Sequence, residues 1–247
     1  MDLKGKTAII TGGGTGIGRA TALMLAERGA DIVINYSRSE ESAIKTRDEV
    51  QSYGVKCIVV QADVSKDDEV RQLANKTIET FGRIDIVVNN AGTTDFVALD
   101  DLEGLKEEYW DRAFNTNAKG AFLVSRACAE QLKANKGCIV NIASIAGMTG
   151  QGSSIAYAAS KAALLSLTKS LALVLAPEVR VNAVNPGIVI TRWVNGKEDH
   201  VTRYGEATPL GRVATPEDVA EVVVSLVASA GLVTGQSLTI DGGVTLV

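Results

Sequence analysis

The chain has 247 residues, 46% hydrophobic and 22% charged, enough for one sizeable α/β domain with a real core. A net charge of −4 without any basic cluster excludes nucleic acid and an anionic membrane surface as expected partners. Three scattered cysteines (Cys57, Cys128, Cys138) with no C-x-x-C argue against a disulfide framework or a zinc site, and with no signal peptide read at the start they suggest a cytoplasmic protein.

Short apolar runs alternate with longer amphipathic ones. The first, TAIIT (7–11), reads as a strand and runs into TGGGTGIGRA (11–20), where Gly12, Gly14, Gly16 and Gly18, with Thr15 and Ile17 between them, turn the chain into a helix over 16–29. Glycines there let the backbone approach a ligand, and the helix start offers unpaired N–H groups and a positive dipole end. Between a strand and a helix this pattern suits the pyrophosphate of a dinucleotide. The second strand, DIVIN (31–35), ends in NYSRSEE. Its tip carries Ser37 and Arg38 where a carboxylate would hold a ribose 2′-hydroxyl; Asp31 is at the other end. Nothing there repels a 2′-phosphate and Arg38 attracts one, which favours NADP(H) over NAD(H).

Further strands are expected at 56–61, 85–90, 138–144, 180–187 and 237–243, and helices at 39–53, 67–81, 105–135, 156–176 and 215–229, the last with Thr215 as N-cap and Pro216 at its first position. Nearly continuous Val/Ile strands separated by helices predict a doubly wound parallel sheet covered on both faces. No linker interrupts it, so residues 1–247 are expected to form one Rossmann-type domain, with the irregular stretch 191–214 as a lid beside the site. YAASK (157–161) places Tyr157 and Lys161 one helical turn apart. An ammonium beside a phenol favours the phenolate, the positive ring of an oxidised nicotinamide would add to that, and together they are expected to lower the phenol's pKa toward working pH.

TGGGTGIG, NNAG (89–92), NTNAKG (115–120), Ser144, YAASK and NPG (185–187), in this order, give a sequence that resembles the short-chain dehydrogenase/reductase family over essentially its whole length. It is similar to the single-domain branch that holds 3-oxoacyl-acyl-carrier-protein reductases and glucose dehydrogenases. The resemblance implies a seven-stranded parallel sheet of order 3-2-1-4-5-6-7. It also implies hydride transfer between a nicotinamide and a carbonyl or secondary alcohol. Tyr157 would be the acid/base, Lys161 its tuner, Ser144 the substrate-orienting hydroxyl and Asn117 the holder of a relay water. Asp63 and Val64 would flank the adenine, and Asn90, Ala91 and Gly92 the ribose side. Pro186, Gly187, Val189 and Thr191 would meet the nicotinamide end, and no metal is implied.

Thr15 stands where many NADP-preferring relatives carry a basic residue, which keeps NAD(H), and with it a sugar or cyclic alcohol dehydrogenase, as the alternative. A catalytically silent nucleotide-binding regulator is the remote one. The substrate implied is a small carbonyl or alcohol. For an acyl-carrier protein the sequence offers only the scattered Arg126, Lys133 and Lys136. His200 reads as a solvated residue and Trp193 as packing or a pocket wall. The apolar helix 157–176, with 105–135 as the other interface helix, suits a homotetramer like those the resemblance implies, a dimer being the alternative.

Overall fold

The computed structural model describes residues 3–247. Strand β1 (Thr7–Ile10) sits mid-sheet between β2 (Asp31–Tyr36) and β4 (Ile86–Asn89); β3 (Cys57–Gln61) forms one edge, and β5 (Cys138–Ile142), β6 (Arg180–Pro186) and β7 (Ser237–Ile240) continue to the other. All seven run parallel in the order β3-β2-β1-β4-β5-β6-β7. The four strands β1, β2, β4 and β5 are buried almost throughout, whereas the edge strands β3 and β7 are partly exposed. That difference explains why the inner strands carry unbroken apolar runs.

Side chains alternate between two cores. Ile10, Ile34, Ile86 and Val140 meet α1 (Gly16–Glu27), α2 (Glu40–Gln51) and α9 (Pro216–Ala228) through Leu25, Val50 and Val223. Ile9, Val33, Val87 and Ile139 meet α3 (Asp67–Phe81), α5 (Ala121–Asn135) and α7 (Ile155–Leu175) through Leu73, Leu132 and Leu171. The start of α9 is as expected: the Thr215 hydroxyl accepts from Asp218 N at 3.2 Å and Asp218 accepts from Thr215 N at 2.7 Å, ahead of Pro216. Cys57, Cys128 and Cys138 are free and buried, their thiols pushed up to about 12, 12 and 11 by that burial.

Three stretches differ from the expectation. The single helix read over 105–135 is α4 (Glu107–Ala113), a π-helical turn (Phe114–Gly120) and α5. Helix-favouring composition hides the wide turn, because tertiary contacts set it: Asn117 is drawn inward, and a Cβ on Gly120 would lie 2.8 Å from Val64 Cγ2. A one-turn α6 (Ala146–Thr149) follows β5, and the irregular stretch holds a 3-10 turn (Arg192–Val194) and α8 (Glu198–Ala207). Helix α7 has the length and the mean hydropathy, 1.4, that crossing a bilayer would need. Here it packs into the domain, with Ser160, Lys161 and Thr168 turned inward and Leu173 and Val174 left outside.

At the sheet end away from the glycine loop, Asp85 is 1% exposed and gathers β1 and β4. Its carboxylate accepts from Thr7 N at 3.0 Å and from Arg83 Nε and Nη2 at 2.7 and 2.6 Å, with Lys6 Nζ at 3.3 Å. Burial alone would raise its pKa, but the Arg83 and Thr7 hydrogen bonds and the Lys6 charge outweigh it and hold the carboxyl below its usual value. A depressed carboxyl stabilises the fold fully above its unfolded pKa of roughly 3.9, and this is lost as pH falls through the lower folded value. Asp85→Asn should therefore cost about 2 kcal/mol at pH 7. Urea unfolding at pH 7 and pH 3 should show the gap between variant and wild type narrowing at the lower pH.

Candidate active site

The C-terminal ends of the strands open onto a cleft of about 1730 Å³. Its floor begins where β1 turns into α1. Asn90, just past β4, reaches back with Nδ2 donating to Thr11 O at 2.9 Å and Gly12 O at 3.0 Å, while Thr11 Oγ1 accepts from the N–H groups of Asn90 and Ala91. A Cβ on Gly18 would lie 2.5 Å from Gly12 O and 2.6 Å from Asn90 Nδ2, and one on Gly14 would lie 2.9 Å from Ala43 of α2. Glycine is therefore demanded here by the protein's own packing, in addition to any ligand. Gly16, at φ +52°, lies under Thr191, whose Cγ2 would be 3.2 Å from an added Cβ. Thr15, Gly16 and Ile17 line this cleft, and their N–H groups have no hydrogen bond among the described residues. Such a row at a helix start fits an anion such as a pyrophosphate.

Asn35 fixes the tip of β2. Its Nδ2 donates to Val60 O and Ala62 O at 3.3 and 2.9 Å, and its Oδ1 accepts from Gly12 N at 3.4 Å. Ser37 and Arg38 emerge from this frame exposed, on the cleft wall. Asp63 and Val64 line the same end. The Asp63 carboxylate accepts from Ser65 N and Oγ at 3.0 and 2.7 Å; burial raises its pKa, but these bonds and nearby cations hold it below the usual carboxylate range.

At the other end, β5 delivers Ser144 and α7 delivers Tyr157 and Lys161. Ser144 Oγ accepts from Ala146 N at 3.1 Å and donates to Pro186 O at 3.5 Å, near enough to the Tyr157 phenol to lower its pKa. Lys161 Nζ donates to Ile142 O at 2.7 Å and lies 5.7 Å from the Tyr157 ring centroid. Burial pushes the phenol up to about 12, against the opposing pull of Ser144, and pushes Lys161 down to about 8. The expected lowering of the phenol by Lys161 is therefore absent from the protein alone. Low-dielectric surroundings disfavour both charged forms, and at Tyr157 that burial outweighs the opposing pull of its neighbours.

Asn117 sits beside this group without facing the cleft. Its Nδ2 donates to Thr93 O and Ser160 Oγ at 3.0 and 2.9 Å, and its Oδ1 accepts from Thr93 N at 2.8 Å. Gly92 lies between Asn117 and Lys161: a Cβ there would stand 3.4 Å from Asn117 Oδ1 and 3.6 Å from Lys161 Nζ, in ordinary contact with both. After β6, Pro186 and Gly187 lead to Val189, which bridges to Ala214 through the groups flanking it: Ile190 N to Ala214 O at 3.0 Å and Ala214 N to Ile188 O at 3.1 Å. Val189's own N–H and C=O have no hydrogen bond among the described residues, and the residue lines the cleft.

Of the residues expected at the site, Gly18 and Asn117 are set behind the cleft wall and the rest line it. His200 is exposed and also lines it, and Trp193 stands edge-on to Tyr157 at 6.2 Å between ring centroids. Sequence reading missed Asn35, whose polarity in an apolar strand was the available signal, and Arg192, whose Nη1 donates to Ser39 Oγ at 3.2 Å. Arg126, considered for an acidic partner, is ion-paired with Asp67.

A family model described as "Enoyl-(Acyl carrier protein) reductase" matches residues 12–245. The chain is 36% identical to the 3-oxoacyl-[acyl-carrier-protein] reductase FabG of Staphylococcus epidermidis over 96% of this chain and 98% of that protein. It is 39% identical to an uncharacterised oxidoreductase of Thermotoga maritima across the whole of both. A solved short-chain type dehydrogenase/reductase from Mycobacterium marinum superposes with a TM-score of 0.91 at 35% identity, covering 99% of this chain and 97% of that one.

The junction of Gly18 with Gly12 and Asn90 is open to a direct test. Gly18→Ala should lower unfolding free energy by about 1–3 kcal/mol in thermal denaturation. Gly231→Ala, where an added Cβ meets nothing within 4 Å, should leave it nearly unchanged.

Proposed function

The chain belongs to the short-chain dehydrogenase/reductase family, and from that premise we propose that it is an NADP(H)-dependent carbonyl reductase, run in reverse as a secondary-alcohol dehydrogenase, with Tyr157 as acid and base. The observation that carries this reading is the convergence of the Ser144 hydroxyl and the Tyr157 phenol, with Lys161 one turn on, in the cleft that the glycine loop opens. Two hydroxyls side by side suit a single substrate oxygen. That geometry supports reduction of a carbonyl over the carbon–carbon double bond named in the family model's description.

A nicotinamide bound along the cleft supplies or accepts the hydride. Ser144 orients the carbonyl, and Ser144 and Tyr157 stabilise its oxygen as negative charge develops. A phenol held at about 12 is protonated at neutral pH, so Tyr157 is ready to donate in the reductive direction. Lys161, charged below about 8, stabilises the phenolate that donation leaves behind. Asn117 acts as a positioning residue, holding Thr93 and Ser160 around Lys161. The unpaired N–H groups of Thr15, Gly16 and Ile17 fit the pyrophosphate, Val189's free backbone groups fit a carboxamide, and Arg38 fits a 2′-phosphate.

The names of the relatives favour a 3-oxoacyl thioester or a ketone of similar shape as substrate. Trp193 and the exposed Phe96, on which Lys197 Nζ sits 2.9 Å from the ring centroid, give the mouth an apolar wall that suits such a chain. Exposed Leu173 and Val174 on α7 and Phe122 on α5 support a homotetramer built across those helices.

Following nicotinamide absorbance with a 3-oxoacyl thioester, cyclic and aromatic ketones and glucose should show turnover with NADPH. Tyr157→Phe should cut it by roughly 10²–10⁴-fold while cofactor binding persists; equal activity in that variant would sink the assignment. Because Lys161 loses its charge near pH 8, reduction should slow as pH rises through that region. Oxidation of the alcohol, which must release a proton, should accelerate over the same range, as paired pH–rate profiles would reveal.

A further inference from the structure

Arg192 begins the 3-10 turn of the segment after β6, yet its guanidinium crosses the glycine loop to reach Ser39 at the tip of β2, Nη1 to Oγ at 3.2 Å. Its neighbour Thr191 covers Gly16 closely enough that an added Cβ there would stand 3.2 Å from Thr191 Cγ2. The segment is thus laid across the groove at the pyrophosphate position and ends beside Ser37 and Arg38. Among the described residues neither Arg38 nor Arg192 has a carboxylate within ion-pair distance. Asp63, which feels the charge of Arg38, is already engaged by Ser65. Two unneutralised guanidinium groups brought to one strand tip from opposite sides of a groove repel each other unless an anion lies between them. Guanidinium is also the cation best matched to a phosphate's oxygens.

The geometry points to Arg192 as a second 2′-phosphate ligand, so that the segment over the groove is fastened by the one group that distinguishes NADP(H) from NAD(H). This rests on the NADP(H) reading above and deepens it: Arg38 supplies a fixed charge from the sheet, and Arg192 a charge that travels with the segment carrying Trp193 and α8. Recognition of the phosphate at one end of the groove then orders the wall of the substrate pocket at the other, because Trp193 is the next residue and stands against Tyr157.

The test uses 2′,5′-ADP and 5′-AMP as probes, titrated calorimetrically into wild type, Arg192→Gln, Arg192→Lys and Arg38→Gln, with hydrogen exchange read over 192–207. Arg192→Gln should bind 2′,5′-ADP about tenfold more weakly and 5′-AMP unchanged. Arg192→Lys should recover part of the loss. In wild type, 2′,5′-ADP but not 5′-AMP should protect the 192–207 amides, and Arg192→Gln should abolish that protection. Wild-type affinity and protection in Arg192→Gln, with 2′,5′-ADP binding weakened in Arg38→Gln, would overturn the role of Arg192 and leave the NADP(H) reading standing. Equal weakening of both probes by Arg192→Gln would also overturn it, assigning the residue to the part that both nucleotides share. Equal affinity of the wild type for the two probes, insensitive to Arg38→Gln, would overturn the NADP(H) reading itself.

Discussion

Asn90's amide, wedged between the end of β4 and the backbone of Thr11 and Gly12, is the contact on which the cleft depends. β1 and β4 are neighbours in the sheet although two strands and three helices separate them in the chain. Their ends diverge there, leaving backbone carbonyls at a point where no further strand can pair with them. Asn90 fills that gap with two hydrogen bonds donated by its side chain, and the Thr11 hydroxyl accepts two more from the N–H groups of Asn90 and Ala91. The absence of a side chain at Gly18 admits the amide, so the loop's shape and the start of α1 are set by one polar wedge. With that turn fixed, the N–H groups of Thr15, Gly16 and Ile17 have no acceptor among the described residues, at a stretch that lines the open groove.

The reactive end follows a different logic. Burial pushes the Tyr157 phenol up and Lys161 down, leaving the phenol protonated and the ammonium charged at neutral pH, so the protein alone does not prepare a phenolate. This makes it a poor base at rest and an available acid. The burial that opposes ionisation also strengthens any charge brought close, since field lines there are little screened by water. A cationic ring placed beside the phenol therefore acts on it far more strongly than it would in solution. The direction of proton transfer becomes a property of the loaded site.

The fold was largely legible in the sequence, because unbroken β-branched strands such as TAIIT and DIVIN can be satisfied only between two helical layers. The glycine loop and the YAASK face were legible for the same reason: local spacing determines them. What escaped is set by distant partners. The π-helical turn around Asn117 carries ordinary helical composition, and its extra width comes from Thr93 and Ser160, which lie far off in sequence. The upward shift of Tyr157 depends on burial that no four-residue spacing encodes. Arg192 read as one more residue of an irregular stretch, since its contact with Ser39 spans 153 positions. The glycines themselves were legible by position but only half by reason. At Gly14 and Gly18 the nearest obstacles to a side chain are the protein's own atoms.

Asn35 carries a consequence for how such a chain changes over generations. Its side chain ties the tip of β2 to the carbonyls of Val60 and Ala62 and to the N–H of Gly12, so the frame there is closed before residue 37 begins. Ser37 joins that frame only through its backbone carbonyl, which accepts from Gln61, and the Arg38 side chain has no hydrogen bond to it among the described residues. Their side chains are consequently interchangeable at little cost to folding. On the proposed NADP(H) reading, cofactor preference can drift at these surface positions while the groove stays rigid, and a lineage can retune which electron pool it draws on without rebuilding its core.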